Sequence, residues 1–91
     1  LSRSNQQNRY YWGVVLEIIS KETGHTTEEL HEIYKRMFLP RKLIKYKALE
    51  IPVPSSTTDC DISDFHEYIE RVRAEAASSG IAIPDPNEVE Y

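Results

Sequence analysis

The residues best equipped for chemistry stand at the start of the chain. Arg3, Asn5, Asn8 and Arg9 supply guanidinium and amide groups, and Tyr10, Tyr11 and Trp12 follow directly. Guanidinium groups and amides hydrogen-bond phosphates and base edges, and aromatic rings stack on bases. A second set, Arg36, Arg41, Lys42, Lys45 and Lys47, forms a basic run with Phe38 and Tyr46 interleaved. Cations that follow a phosphate backbone, beside aromatics that take up bases, are the ingredients of single-strand binding. Each set also has a plainer use. Amides near a helix start satisfy free backbone N–H groups, aromatics fill cores, and lysines keep an exposed strand edge soluble.

Other chemistries have less to work with. His25 and His31 are six apart and share no i,i+4 face, while Cys60 and His66 carry no CxxC or HExxH partner, so neither a metal site nor a cofactor is expected. Asp59 and Asp61 flank Cys60 and disfavour the thiolate that a catalytic cysteine needs. Ser55 and Ser56 lack the Gly-x-Ser-x-Gly elbow, and three widely separated glycines do not make a phosphate loop. The carboxylates Asp64, Glu67, Glu70 and Glu75 read as a solvated helix face. The expectation is a protein that is not an enzyme.

The net charge of −4 hides an asymmetry. Residues 1–50 hold nine Lys/Arg against six Asp/Glu, and residues 51–91 hold two against nine, giving +3 and −7. Side chains able to meet phosphate are thus concentrated in the first half, and the acidic half either repels DNA or docks a basic partner. With 91 residues the chain is one small domain with a modest core, which makes self-association an expectation. A single cysteine forms no internal disulfide, and no apolar run approaches the roughly 20 residues of a membrane span, so a cytoplasmic protein without a membrane partner is expected.

Three helices must position these side chains. Ser4 with Gln7 fits a capping box, predicting a first helix from about Asn5 to Glu22 that stops at Gly24. Its apolar stripe is Tyr11, Val14, Val15, Ile18 and Ile19, which favours core packing for Tyr11 and the adjacent Trp12 and leaves Tyr10 as the stacking candidate. Thr26 with Glu29 caps a second helix carrying Leu30, Ile33, Tyr34, Met37 and Phe38 on one side, ended by Pro40. Residues 42–53 mix alternation with β-branched and aromatic residues and predict an extended segment or short hairpin. A polar loop at 55–58 precedes a third helix that starts near Asp61 or Ser63, buries Ile62, Phe65, Ile69 and Val72, and ends at Gly80. The predicted organisation is a helix-rich α+β domain over 1–80 and an extended, proline-containing acidic tail over 81–91, its last five residues disordered.

The order of short motifs resembles the NinB/Orf family of phage recombination proteins. The resemblance rests on Arg3-Ser4, Gln7-Asn8 and Tyr11-Trp12, then on Thr27 to His31, on Lys35 with Phe38 to Pro40, and on Ser56 to Thr58 leading into Phe65 to Glu70. It spans most of the chain and implies a dimeric α+β protein. Such a protein binds single-stranded or gapped DNA, cooperates with host single-strand-binding protein and helps load a recombinase in the bacterial cytoplasm. It further implies β-strands ahead of the Arg-Ser pair, so the chain is expected to lack upstream strands. The functional expectation is a recombination mediator that binds single-stranded DNA. The alternative is an interaction module that docks a single-strand-binding protein or recombinase without touching DNA.

Overall fold

The structure is a computed structural model and describes residues 4–39, 41–54, 57 and 60–91. The expected helix stop at Pro40 and most of the polar loop at 55–58 lie outside the described residues. Three helices and a two-stranded antiparallel hairpin form a small α+β fold among the described residues. Among the described residues, no helix is long and apolar enough to cross a membrane.

Helix α1 is continuous from 5 to 23 but changes pitch midway. α-Helical Asn5–Tyr10 passes into a π-helical turn, Tyr11–Val15, and returns to α-helical Leu16–Thr23. The Ser4 hydroxyl accepts the Gln7 N–H and the Gln7 side chain accepts the Ser4 N–H, which completes the expected capping box. At the other end Gly24 takes φ 83° and donates to the Ser20 carbonyl. The π turn moves the apolar stripe, because each extra residue within a turn rotates everything beyond it about 100° relative to an α-helix. Tyr11, Val14, Val15 and Ile19 are buried as expected. Ile18 is only half-buried, whereas Leu16, outside the expected stripe, has no exposed surface.

Helix α2, Thr27–Phe38, carries the Thr26–Glu29 capping box and buries Leu30 and Tyr34. The expected stripe was too wide: Ile33 and Met37 are 41% and 51% exposed, because the core meets this helix only along the i,i+4 line of Leu30, Tyr34 and half-buried Phe38. Glu29, accepting at the cap, is held below the usual carboxylate range by its hydrogen bonds to Thr26. Leu39 is extended, as a residue before proline must be. Strands β1, Arg41–Tyr46, and β2, Leu49–Pro54, pair with Ile44 opposite Ile51 and Tyr46 opposite Leu49. Lys47, first in the two-residue turn, has φ 56°.

Helix α3, Ile62–Ser78, starts on Asp61, whose carboxylate accepts the Asp64 N–H. It buries Phe65, Tyr68, Ile69, Val72 and Ala76. Ile62, expected in the core, is 45% exposed because it sits in the first turn at the rim of the domain. Behind it, Gly80 at φ 84° donates to the Ala77 carbonyl and Ile81 to that of Ala76, the two bonds of a Schellman motif. This reversal sends the chain back over the helices, so residues 81–91 are docked and the expected disorder of the last five is corrected. Ile81, Ile83 and Val89 pack on the core, and Asp85 caps a short 3-10 turn, Pro86–Glu88.

Candidate nucleic-acid interface

The opening cluster divides between surface and core. Arg3 lies outside the described residues. Asn5 and Arg9 are exposed on the first turns of α1, while Asn8 is half-buried and its Oδ1 has no hydrogen-bond partner among the described residues. Gln7, beyond its capping role, donates through Nε2 to the Ile62 carbonyl at 2.9 Å and so ties α1 to α3. Tyr10 is a correction. It is 3% exposed, its hydroxyl donates to the Pro84 carbonyl at 2.7 Å, and its ring meets Tyr91 at 5.5 Å, so no face is open to a base. Burial pushes its hydroxyl up to about 12. The returning tail, which sequence periodicity did not foresee, is what covers it.

Tyr11 organises the buried centre of the domain. Its hydroxyl lies 2.7 Å from the Tyr68 hydroxyl and 2.7 Å from His31 Nδ1, and its ring packs edge-on against Phe65 and Trp12. Trp12 is half-buried and lies 4.7 Å from the His31 ring. His31, which the spacing excludes from a metal pair with His25, is part of an aromatic and hydrogen-bonded cluster. Tyr34 donates to Glu75 at 3.1 Å, and burial together with that carboxylate pushes its hydroxyl up to about 12.

The basic run has the opposite character. Arg36 is exposed in the last turn of α2, and Arg41, Lys42, Lys45 and Lys47 are all exposed on the hairpin. Tyr46 is 56% exposed within the run, with the Lys47 ammonium 5.3 Å from its ring centroid. Tyr46 is therefore open to solvent where Tyr10 is covered. Strand alternation puts Ile44, Tyr46, Leu49 and Ile51 on one face of the hairpin, and all four are exposed. The two sets of cations thus sit on different elements, the start of α1 held between α3 and the tail, the hairpin leading away from α2.

Acidic side chains populate α3. Asp64, Glu67 and Glu70 are exposed, with Arg71 3.9 Å from Glu67 and Arg73 2.9 Å from Glu70. Among the described residues, no three His, Cys, Asp or Glu side chains gather where they could hold a metal ion. Cys60 is buried.

No protein-family model matches this chain, and comparison with curated proteins and with solved structures also finds no match.

Proposed function

We propose that this chain is a single-stranded-DNA-binding accessory protein of phage-type recombination, which holds a strand for a recombinase and performs no catalysis of its own. One observation carries the reading: an exposed Tyr46 shares one face of a two-stranded hairpin with exposed Lys42 and has the Lys47 ammonium against its ring, while Arg41 and Lys45 are exposed on the other face of the same ribbon. Cations at that spacing can neutralise successive phosphates while the ring takes a base, a combination that tolerates any sequence. The acidic α3 and tail would repel the strand elsewhere and so direct it to the basic hairpin. The resemblance of the Arg-Ser, Gln-Asn and Tyr-Trp pairs to the NinB/Orf family supports the same reading. Gel-shift titration with a single-stranded oligonucleotide at two salt concentrations tests it. Binding that weakens with salt is expected; no binding, or binding indifferent to salt, would sink the proposal.

A second reading is favoured by a separate observation. Leu43, Ile44, Leu49 and Ile51 are 61, 48, 61 and 42% exposed, an apolar content that a strand of DNA does not require. A protein partner would use it, either a second copy in a homodimer or a single-strand-binding protein or recombinase. In that case the gel shift is blank, while sedimentation finds a dimer or a pull-down retains one of those partners.

A further inference from the structure

The returning tail builds a cleft of about 400 Å³ between the start of α1, the first half of α3 and residues 85–91. Its volume is within the range of small-molecule sites, roughly 300–1,000 Å³. The apolar lining is Tyr10, Ile69, Pro86 and Tyr91. Around it stand three hydrogen-bonding side chains that the fold does not use. The Gln6 amide, the Asn87 amide and the His66 imidazole are all exposed and make no side-chain hydrogen bond among the described residues. Gln7 and Ser4 satisfy the cap, and Asn87 serves the 3-10 turn only through its backbone N–H, so neither Gln6 nor Asn87 is held there by the fold.

The charges in the cleft select against an anion. Arg73 lies 2.9 Å from Glu70 and 3.9 Å from Asp85 and donates to the Ile83 carbonyl, so its charge is matched by two carboxylates, although its buried Nε has no hydrogen-bond partner among the described residues. The groups left to bind a guest are the Gln6 and Asn87 amides and the His66 imidazole, beside aromatic rings. A flat, uncharged heteroaromatic ring with hydrogen-bonding edges suits them, and a phosphate does not. Glu70 and Asp85 add acceptors that favour a guest bearing an amino group.

We propose that this cleft is a nucleobase site, stacking a base against Tyr91 and reading its edge with Gln6 and Asn87. The proposal builds on the single-strand reading and adds a second point of attachment, one that takes a base while the hairpin takes the backbone. It also gives the 81–91 segment a role, since Asp85, Asn87 and Tyr91 supply one side of the cleft.

The test uses the full chain, labelled with ¹⁵N, and follows the side-chain amide signals of Gln6 and Asn87. Adenosine and cytidine should move both signals at millimolar concentration, thymidine less, and inorganic phosphate or ribose not at all. Gln6→Ala and Asn87→Ala should each weaken nucleoside binding by about fivefold, the loss expected for one hydrogen bond. In parallel, a single-stranded oligonucleotide carrying one 2-aminopurine should change its fluorescence on binding, and lose that change in the Gln6→Ala/Asn87→Ala double variant. Signals indifferent to nucleosides, or nucleoside affinity unaltered in both variants, would overturn the base site. If the oligonucleotide binds through the hairpin and nucleosides do nothing, only the base site fails. If nucleosides bind and the oligonucleotide does not, the strand reading fails and a free nucleoside or nucleotide is the guest.

Discussion

Replacing Tyr11 with phenylalanine removes one oxygen atom from a side chain with no exposed surface. That oxygen makes two short contacts, to the Tyr68 hydroxyl and to His31 Nδ1, both at 2.7 Å. Each hydrogen bond contributes about 0.5–1.5 kcal/mol net, and partners left inside the protein add desolvation, so losing two comes to about 2 kcal/mol. For a domain of this length 1 kcal/mol moves the thermal midpoint by roughly 4–8 °C, which puts Tyr11→Phe about 8–16 °C below the parent chain. The ring contacts to Phe65 and Trp12 need no hydroxyl and persist, so the cost isolates the hydrogen bonds from the packing. Tyr34→Phe is the natural comparison, because it removes a single partly buried bond of 3.1 Å to Glu75 and should cost about half as much. Thermal melts followed by circular dichroism measure both. A Tyr11→Phe midpoint within about 2 °C of the parent, or a loss no greater than that of Tyr34→Phe, would refute the assignment of Tyr11 as the centre of the buried network.

Tyr10 and Tyr34 both have hydroxyls raised to about 12, above the value near 10 of an unfolded tyrosine. Their contribution to stability is therefore complete below pH 10 and lost as pH rises through 12; urea midpoints should hold up to pH 10 and fall beyond it, and a flat profile to pH 12 would contradict the burial of both. Lys47→Gly relieves a side chain held at φ 56°, a conformation costing about 1 kcal/mol outside glycine, partly offset by the greater freedom of unfolded glycine. Amide exchange across β1 and β2 should slow modestly, and faster exchange would count against the strain. Asp61→Ala removes the α3 cap and should cost about 1 kcal/mol in urea titrations, where an unchanged midpoint would show that the bond to Asp64 contributes nothing.

The helix boundaries were legible because they rest on local chemistry. Ser4 with Gln7, Thr26 with Glu29, Asp61, Gly24 and Gly80 each act within four residues of themselves, and each stands where sequence put it. The core stripe was legible at Tyr11, Val14, Val15 and Ile19, but periodicity assumes one pitch and cannot foresee the π turn that buries Leu16 and leaves Ile18 half-buried. Tyr10 was misread for a non-local reason: Pro84 and Tyr91, more than seventy residues away, cover it. The Schellman turn at Gly80 was the available signal, because a chain reversed there with Ile81, Ile83 and Val89 ahead of it has apolar groups to bury. The hairpin cations are exposed as the sequence implied. The cleft residues Gln6, His66 and Asn87 went unread because only the fold brings them together.

The central claim is that the basic hairpin holds a single strand by neutralising its phosphates. Fluorescence anisotropy of a labelled single-stranded oligonucleotide over a salt series tests it most directly, comparing the parent chain with Arg41→Ala/Lys45→Ala. With about 0.7 of a counterion released per phosphate contact, four hairpin cations predict a log–log slope near −3, and removing two should reduce its magnitude by roughly 1.4. No measurable binding, or a slope the same in both proteins, would contradict the account.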